Sequence, residues 1–107
     1  MANFSTPNFS TDLTGQVALV TGTTSGLGRR FAQVLAKCGA KVILTGRRVE
    51  KLNELAAEIR EAGGICEPIA MDMTNRDNIK AVVAEGEEKL GTITILVNNA
   101  GIPDAQR

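Results

Sequence analysis

Histidine, tyrosine and tryptophan are all absent from the 107-residue chain. Histidine is the commonest general base near neutral pH and the commonest metal ligand, so its absence argues against both kinds of site, and we predict no metal. The only aromatic residues are Phe4, Phe9 and Phe31, too few for a platform on which nucleic-acid bases stack. Any chemistry in these residues must therefore proceed without histidine, tyrosine or tryptophan side chains.

An excess of one charge is also lacking, because twelve basic residues balance twelve acidic ones. This balance argues against a general electrostatic attraction to nucleic acid or to an anionic membrane. No apolar run approaches the roughly 18 residues of a membrane span, and the first residues lack the basic and apolar parts of a secretory signal. We therefore predict a cytoplasmic protein. Cys38 and Cys66 form no C-x-x-C pair and are predicted to be buried thiols.

Beyond a polar N-terminal arm, residues 1–13, short apolar runs alternate with helical patterns. The runs QVALVT, KVILT, ICEPIA and ITILV (Ile93 to Val97) are typical of buried strands. Continuous apolar strands that alternate with helices predict an α/β fold, a parallel sheet with helices on both faces. Right-handed crossovers predict the doubly wound, Rossmann-type strand order 3-2-1-4 in a domain that covers residues 14–107.

Each predicted helix has an apolar face. On the first helix this face is assigned to Leu27, Phe31, Leu35 and Cys38, with Ala32 and Ala36 alongside. On the second it is assigned to Leu52, Leu55, Ala56 and Ile59, and on the third to Ile79, Val82, Val83 and Leu90. Gly86 interrupts the third helix and is expected to cost about 1 kcal/mol relative to alanine.

The turn between the first strand and the first helix contains Gly22, Gly26 and Gly28. Glycine accepts positive φ and lets a phosphate approach the backbone, and a helix N-terminus attracts anions. In a doubly wound sheet this turn leaves the first strand beside the crevice where ligands bind. We therefore predict a pyrophosphate site, to which Thr21, Thr23, Thr24 and Ser25 add hydroxyl donors. A tight turn without a ligand is the alternative.

Three motifs resemble those of the short-chain dehydrogenase/reductase family. TGTTSGLG, Thr21 to Gly28, is similar to its T-G-x-x-x-G-x-G turn, MDMT to the acidic residue after its third strand, and NNAG to its N-N-A-G motif. They occur in the family's order and cover nearly the whole chain. Thr94 departs from the pattern, because the family commonly has an acidic residue there.

The resemblance implies a role for each motif in binding a dinucleotide. The glycines would hold the pyrophosphate and adenosine, Asp72 and the Met73 backbone would contact the adenine edge, and the N-N-A-G motif would line the cofactor. Asp72 as a plain turn or cap residue, and Asn98 with Asn99 as a plain turn pair, remain alternatives. The full predicted cofactor-binding set is Gly22, Thr24, Ser25, Gly26, Leu27, Gly28, Arg47, Arg48, Asp72, Met73, Asn98, Ala100 and Gly101.

The cofactor is predicted from the residues that follow the second strand, TGRR. An acidic residue there would bind the ribose 2′-OH of NAD, but Gly46 occupies the position and Arg47 and Arg48 follow it. A guanidinium binds a 2′-phosphate well, so NADP(H) is favoured over NAD(H). The alternative is that both arginines begin a solvated helix and pair with Glu50 or Glu54.

The resemblance also indicates what these residues omit. Family members carry a catalytic Y-x-x-x-K pair beyond N-N-A-G, and this chain has no tyrosine. We therefore expect the N-terminal, cofactor-binding part of a homo-oligomeric NAD(P)-dependent oxidoreductase that acts on a small alcohol or carbonyl compound. This part alone is expected to be inactive, with no catalytic residue of its own. A stand-alone, non-catalytic dinucleotide-binding module is the alternative function.

Overall fold

The structure is a computed structural model that describes residues 12–23 and 26–99. Within these ranges strands and helices alternate without exception. They are β1 (Val17–Thr21), α1 (Gly26–Lys37), β2 (Lys41–Gly46), α2 (Val49–Glu61), β3 (Ile65–Ala70), α3 (Arg76–Leu90) and β4 (Ile95–Asn98). None of the three helices in these ranges has the length and hydropathy needed to cross a membrane.

The four described strands form one parallel sheet in the order β3-β2-β1-β4. This confirms the predicted order 3-2-1-4. Val20 lies beside Leu44 on one side and beside Val97 on the other, so the central strand β1 is held from both sides. Pro68 is tolerated in β3 because this strand pairs only with β2 among the described strands, and an edge strand can lose a donor.

Two apolar clusters fill the two faces of the sheet. One joins α1 and α2 to strand residues such as Val20, Leu44 and Cys66. The other joins α3 to strand residues such as Leu19 and Ile43. The inward faces predicted for α2 and α3 are confirmed, because their assigned residues belong to these clusters.

The face predicted for α1 is wrong in part. Its buried residues are Gly28, Ala32 and Ala36, whereas Leu27 and Phe31 are 52% and 39% exposed. Small residues let the helix approach the sheet closely, and the larger side chains lie on the flank. Arg29 and Gln33 hydrogen-bond Glu58 of α2, and Phe31 lies about 200° around the helix from Arg29, on the side away from α2.

β4 begins two residues later than predicted. Ile93 and Thr94 precede it, and Thr94 joins the start of β1 instead: its N–H donates to Val17 O at 2.8 Å, and its Oγ1 accepts from Val17 N at 3.1 Å. The residue that departs from the family's motif therefore has a structural role. Cys66 is buried as predicted, whereas Cys38 is only half-buried.

Candidate functional site: the carboxyl edge of the sheet

The carboxyl ends of β1 and β4 lie side by side where the strand order reverses, the place where doubly wound sheets bind ligands. Thr21 is the last residue of β1 and pairs in register with Asn98. Gly22 follows with a φ of 69°, a left-handed conformation that favours glycine. The chain leaves the sheet here and enters α1 at Gly26.

A set of hydrogen bonds fixes the ends of β1 and β4 to each other. Thr21 Oγ1 donates to Asn98 Oδ1 at 3.1 Å and accepts from Asn99 N at 2.8 Å. Asn99 Nδ2 also donates to Gly22 O at 3.4 Å. Asn99 therefore holds the glycine turn, a role that the sequence analysis did not assign to it, although the N-N-A-G motif contained the residue.

Thr23 does not serve as the expected hydroxyl donor to a phosphate. It is fully buried, and its Oγ1 and its N–H both bond Thr45 O, at 2.9 and 3.0 Å. Thr45 Oγ1 in turn donates to Val20 O at 2.8 Å. These bonds tie the glycine turn to β2, because a buried hydroxyl must find a partner inside the protein. Of the other expected donors, Thr21 donates its hydroxyl to Asn98 Oδ1, and Thr24 and Ser25 lie outside the described residues.

The glycines of the turn have different surroundings. A Cβ on Gly28 would overlap Gly22 O and lie 2.8 Å from Asn99 Nδ2, so the close packing of α1 on the turn requires glycine. Among the described residues, a Cβ on Gly26 would meet nothing within 4 Å. Gly26 thus borders open space at the N-terminus of α1, the place where backbone N–H groups attract an anion.

At the end of β2, the buried Gly46 is followed by the exposed Arg47 and Arg48. Neither arginine forms an ion pair with a described residue, so the predicted alternative of pairing with Glu50 or Glu54 is not realised. Arg48 is the N-cap of α2 and makes no side-chain capping bond. Arg47 lines an open cavity of about 410 Å³ together with Ala70, Met71, Asp72, Asn75 and Asn78.

The turn between β3 and α3 contains two polar groups at or next to this cavity, which Asp72 lines. Asp72 Oδ1 accepts from Thr74 N at 2.9 Å and from Thr74 Oγ1 at 2.7 Å. Of the five backbone N–H groups of residues 71–75, only that of Met73 has no acceptor among the described residues. The Asp72 carboxylate and the Met73 N–H are therefore neighbouring groups available to a ligand.

The hydrogen bonds from Thr74 lower the pKa of Asp72, first through its hydroxyl and then through its N–H, and nearby Arg47 adds a smaller lowering. Asp72 is therefore an anion, an acceptor only, at neutral pH. Because the pKa is lower in the folded state, the resulting stabilisation is complete above the ordinary carboxyl pKa of 3.8. It is lost as the pH falls through the lowered value.

The structure thus brings Arg47 and Asp72 to one cavity and Gly22, Gly26 and Gly28 to the neighbouring turn. Leu27 lies on the exposed flank of α1, and Asn98 is exposed at the end of β4. Ala100 and Gly101 lie outside the described residues. Asn75 and Asn78, which also line the cavity, were not predicted from the sequence.

Comparison with known proteins identifies the family. The model of the short chain dehydrogenase family matches residues 16–107. The chain belongs to this family. It is 45% identical over 92 residues to a 3beta-hydroxysteroid dehydrogenase of Mediterraneibacter gnavus, a match that covers 86% of this chain and 33% of that protein. The chain spans about a third of the length of the curated relatives it matches.

Solved structures of short-chain dehydrogenases share the fold. L-Sorbose reductase from Gluconobacter frateurii, complexed with NADPH and L-sorbose, aligns with a TM-score of 0.80 and 36% identity, over 86% of this chain and 35% of that one. A metagenomic short-chain oxidoreductase in complex with NADP aligns with a TM-score of 0.79 and 44% identity, over 84% of this chain and 41% of that one.

Proposed function

We propose that this chain provides the NADP(H)-binding part of an oxidoreductase that interconverts an alcohol and a carbonyl compound. The cofactor, when bound, supplies the hydride that reduces the carbonyl carbon. The residues present hold the cofactor. The proton for the carbonyl oxygen requires an acid within hydrogen-bond reach, and these 107 residues contain neither histidine nor tyrosine. We therefore assign the proton transfer to residues outside this chain.

The observation that carries this proposal is the cavity that Arg47 shares with Asp72, beside the glycine turn. The space at Gly26 fits a pyrophosphate, because a side chain is absent where the helix N-terminus attracts anions. Arg47 has no ion-pair partner among the described residues, so its guanidinium is available to a 2′-phosphate. The NADP and NADPH of the solved relatives agree with this assignment.

Calorimetric titration with NADPH and NADH tests the proposal. We expect NADPH to bind more tightly, and Arg47→Asp to weaken NADPH by about tenfold or more, since charged hydrogen bonds contribute about 1.5–3 kcal/mol. The affinity for NADH should fall much less. Lys37→Asp, the same charge reversal at the far end of α1, is the control and should leave both affinities unchanged. Equal affinities for the two dinucleotides that Arg47→Asp does not alter would refute the assignment of NADP(H).

The second candidate function is a dinucleotide-binding module that never turns over. The absence of tyrosine from the chain favours it. The coding DNA downstream of Arg107 discriminates between the two candidates. An open frame with a Y-x-x-x-K segment supports the oxidoreductase, and an immediate stop codon supports the module.

A further inference from the structure

Asn78 holds the main chain of Asp72 from the first turn of α3. Its Oδ1 accepts from Asp72 N at 2.7 Å, and its own backbone N–H donates to Asn75 Oδ1 at 3.0 Å. The Asn78 side chain is half-buried and lines the same cavity as Arg47. The first bond attaches the main chain of Asp72 to helix α3, in addition to its covalent connection to the end of β3.

This bond also decides which groups the turn offers to a ligand. Asp72 N–H already donates to Asn78 Oδ1, and Asp72 Oδ1 already accepts from Thr74. Asp72 Oδ2 and Met73 N–H have no hydrogen-bond partner among the described residues. The turn therefore offers one acceptor and one donor in adjacent positions, and it withholds the second donor that Asp72 N–H would add.

One acceptor beside one donor complements the edge of adenine, which offers the N6 amino group as a donor and N1 as an acceptor. Hypoxanthine offers the reverse, the O6 acceptor and the N1–H donor, so its O6 would face a carboxylate. We propose that Asn78 is a positioning residue that makes the turn selective for adenine over hypoxanthine, because it removes Asp72 N–H from the groups that a base can meet. This inference rests on the proposed binding of NADPH.

Calorimetric titration of the full chain with NADPH and with its hypoxanthine analogue, reduced nicotinamide hypoxanthine dinucleotide phosphate, tests this role. The wild-type chain should prefer NADPH by about tenfold or more, because a site built for one hydrogen-bonding pattern rejects the other. Asn78→Ala frees Asp72 N–H and should reduce this preference about fivefold or more. If the role of Asn78 were merely structural, Asn78→Ala would lower the affinities for both nucleotides by the same factor and leave the ratio of the two affinities unchanged.

Two further variants separate the hydrogen bond from charge and from fold stability. Asn78→Asp keeps an acceptor for Asp72 N–H, so it should restore the preference for adenine while its added charge weakens both nucleotides. Asn75→Asp places the same charge in the same cavity without contacting Asp72 N–H. It should likewise keep the preference for adenine and lower the affinity for both nucleotides. Lys80→Ala, at an exposed position of α3, should match the wild type.

The outcomes distinguish this inference from the proposed function. If the wild-type chain binds NADPH but discriminates equally well after Asn78→Ala, the role of Asn78 is wrong and the proposed function stands. If Asn78→Asp loses the preference as Asn78→Ala does, the role of the acceptor is likewise refuted. If the wild-type chain binds neither nucleotide, both the proposed function and this inference are overturned.

Discussion

The three glycines of the turn differ in what each position requires of the backbone. Gly22 needs its left-handed φ of 69°, which a side chain would strain. Gly28 needs the absence of a Cβ, because Gly22 O occupies that space. Gly26 meets neither condition, since its Cβ would enter open space and its φ is not positive. Neither backbone condition therefore explains the glycine at position 26, whereas the proposed phosphate site would account for it.

A pair of substitutions separates these requirements. Gly28→Val should lower the free energy of unfolding by at least about 1–3 kcal/mol, the usual range for overpacking, because the side chain meets backbone. Gly26→Val should keep the free energy of unfolding within about 1 kcal/mol of wild type but weaken NADPH at least about tenfold. Urea unfolding and NADPH titration measure the two effects. Ala81→Val, which adds a valine at an exposed position of α3 away from the turn, is the control. Full NADPH affinity in Gly26→Val would show that the phosphate does not approach this residue.

At the scale of elements, the helix patterns predicted α2 and α3 well but misplaced the inward face of α1. Helices α2 and α3 have one apolar flank each, so periodicity locates it. Helix α1 has two, a small-residue flank with Ala32 and Ala36 and a large-residue flank with Leu27 and Phe31. Apolarity alone predicted that the larger residues face the sheet. In the structure the small residues face it, because they permit the closer approach. That choice depends on tertiary packing, which the sequence pattern does not reveal.

Gly86 shows the same preference for close approach on the other face of the sheet. A Cβ at this position would lie 2.5 Å from Ile43 Cδ1 and 3.1 Å from Ile43 Cγ1. Ile43 is fully buried in the centre of β2, so a shift of its side chain would disturb the packing around it. The helix-propensity cost that the sequence predicts at Gly86 is therefore offset by the packing of α3 against β2.

Gly86→Ala tests this explanation. Overpacking costs typically about 1–3 kcal/mol and the gain in helix propensity is about 0.5–1 kcal/mol, so we expect net destabilisation of about 1 kcal/mol. Ile43→Val removes the methyl group nearest to the new Cβ. In a double-mutant cycle by urea unfolding the two changes should therefore compensate by at least about 0.5 kcal/mol. Strictly additive effects would mean that Ile43 does not require the glycine.

At the scale of the whole molecule, the strand order and the location of the site were predictable because both follow from chain connectivity. Right-handed crossovers allow few orders, and the order determines where the carboxyl ends of β1 and β4 meet. The hydrogen bonds of Asn78 and Asn99 were not predictable, because each joins a side chain to a backbone atom whose position depends on the folded turn. The sequence predicted where the candidate site lies, and the structure added the hydrogen bonds within it.

β4 is an edge of the sheet in the described part of the chain, and it pairs only with β1 there. Both sides of this edge are apolar. Leu96 is 67% exposed on the side that faces α3, as its pairing with Leu19 indicates. On the other side, Leu27, Phe31 and Val34 cover the flank of α1 that faces away from α2. Unpaired strand edges with exposed apolar side chains promote association with other chains.

We therefore expect the isolated 107-residue chain to associate in a concentration-dependent manner through this edge. The double substitution of Leu96→Lys and Phe31→Lys places one charge on each side of β4, and charged edges resist pairing, so it should shift the chain toward monomer. Size-exclusion chromatography with light scattering over a range of concentrations measures the change. Val49→Lys, at another exposed apolar position, in α2, is the control and should leave association unchanged. A wild-type chain that stays monodisperse and monomeric at every concentration would contradict the prediction, as would equal effects of the charges at Val49 and at the β4 edge.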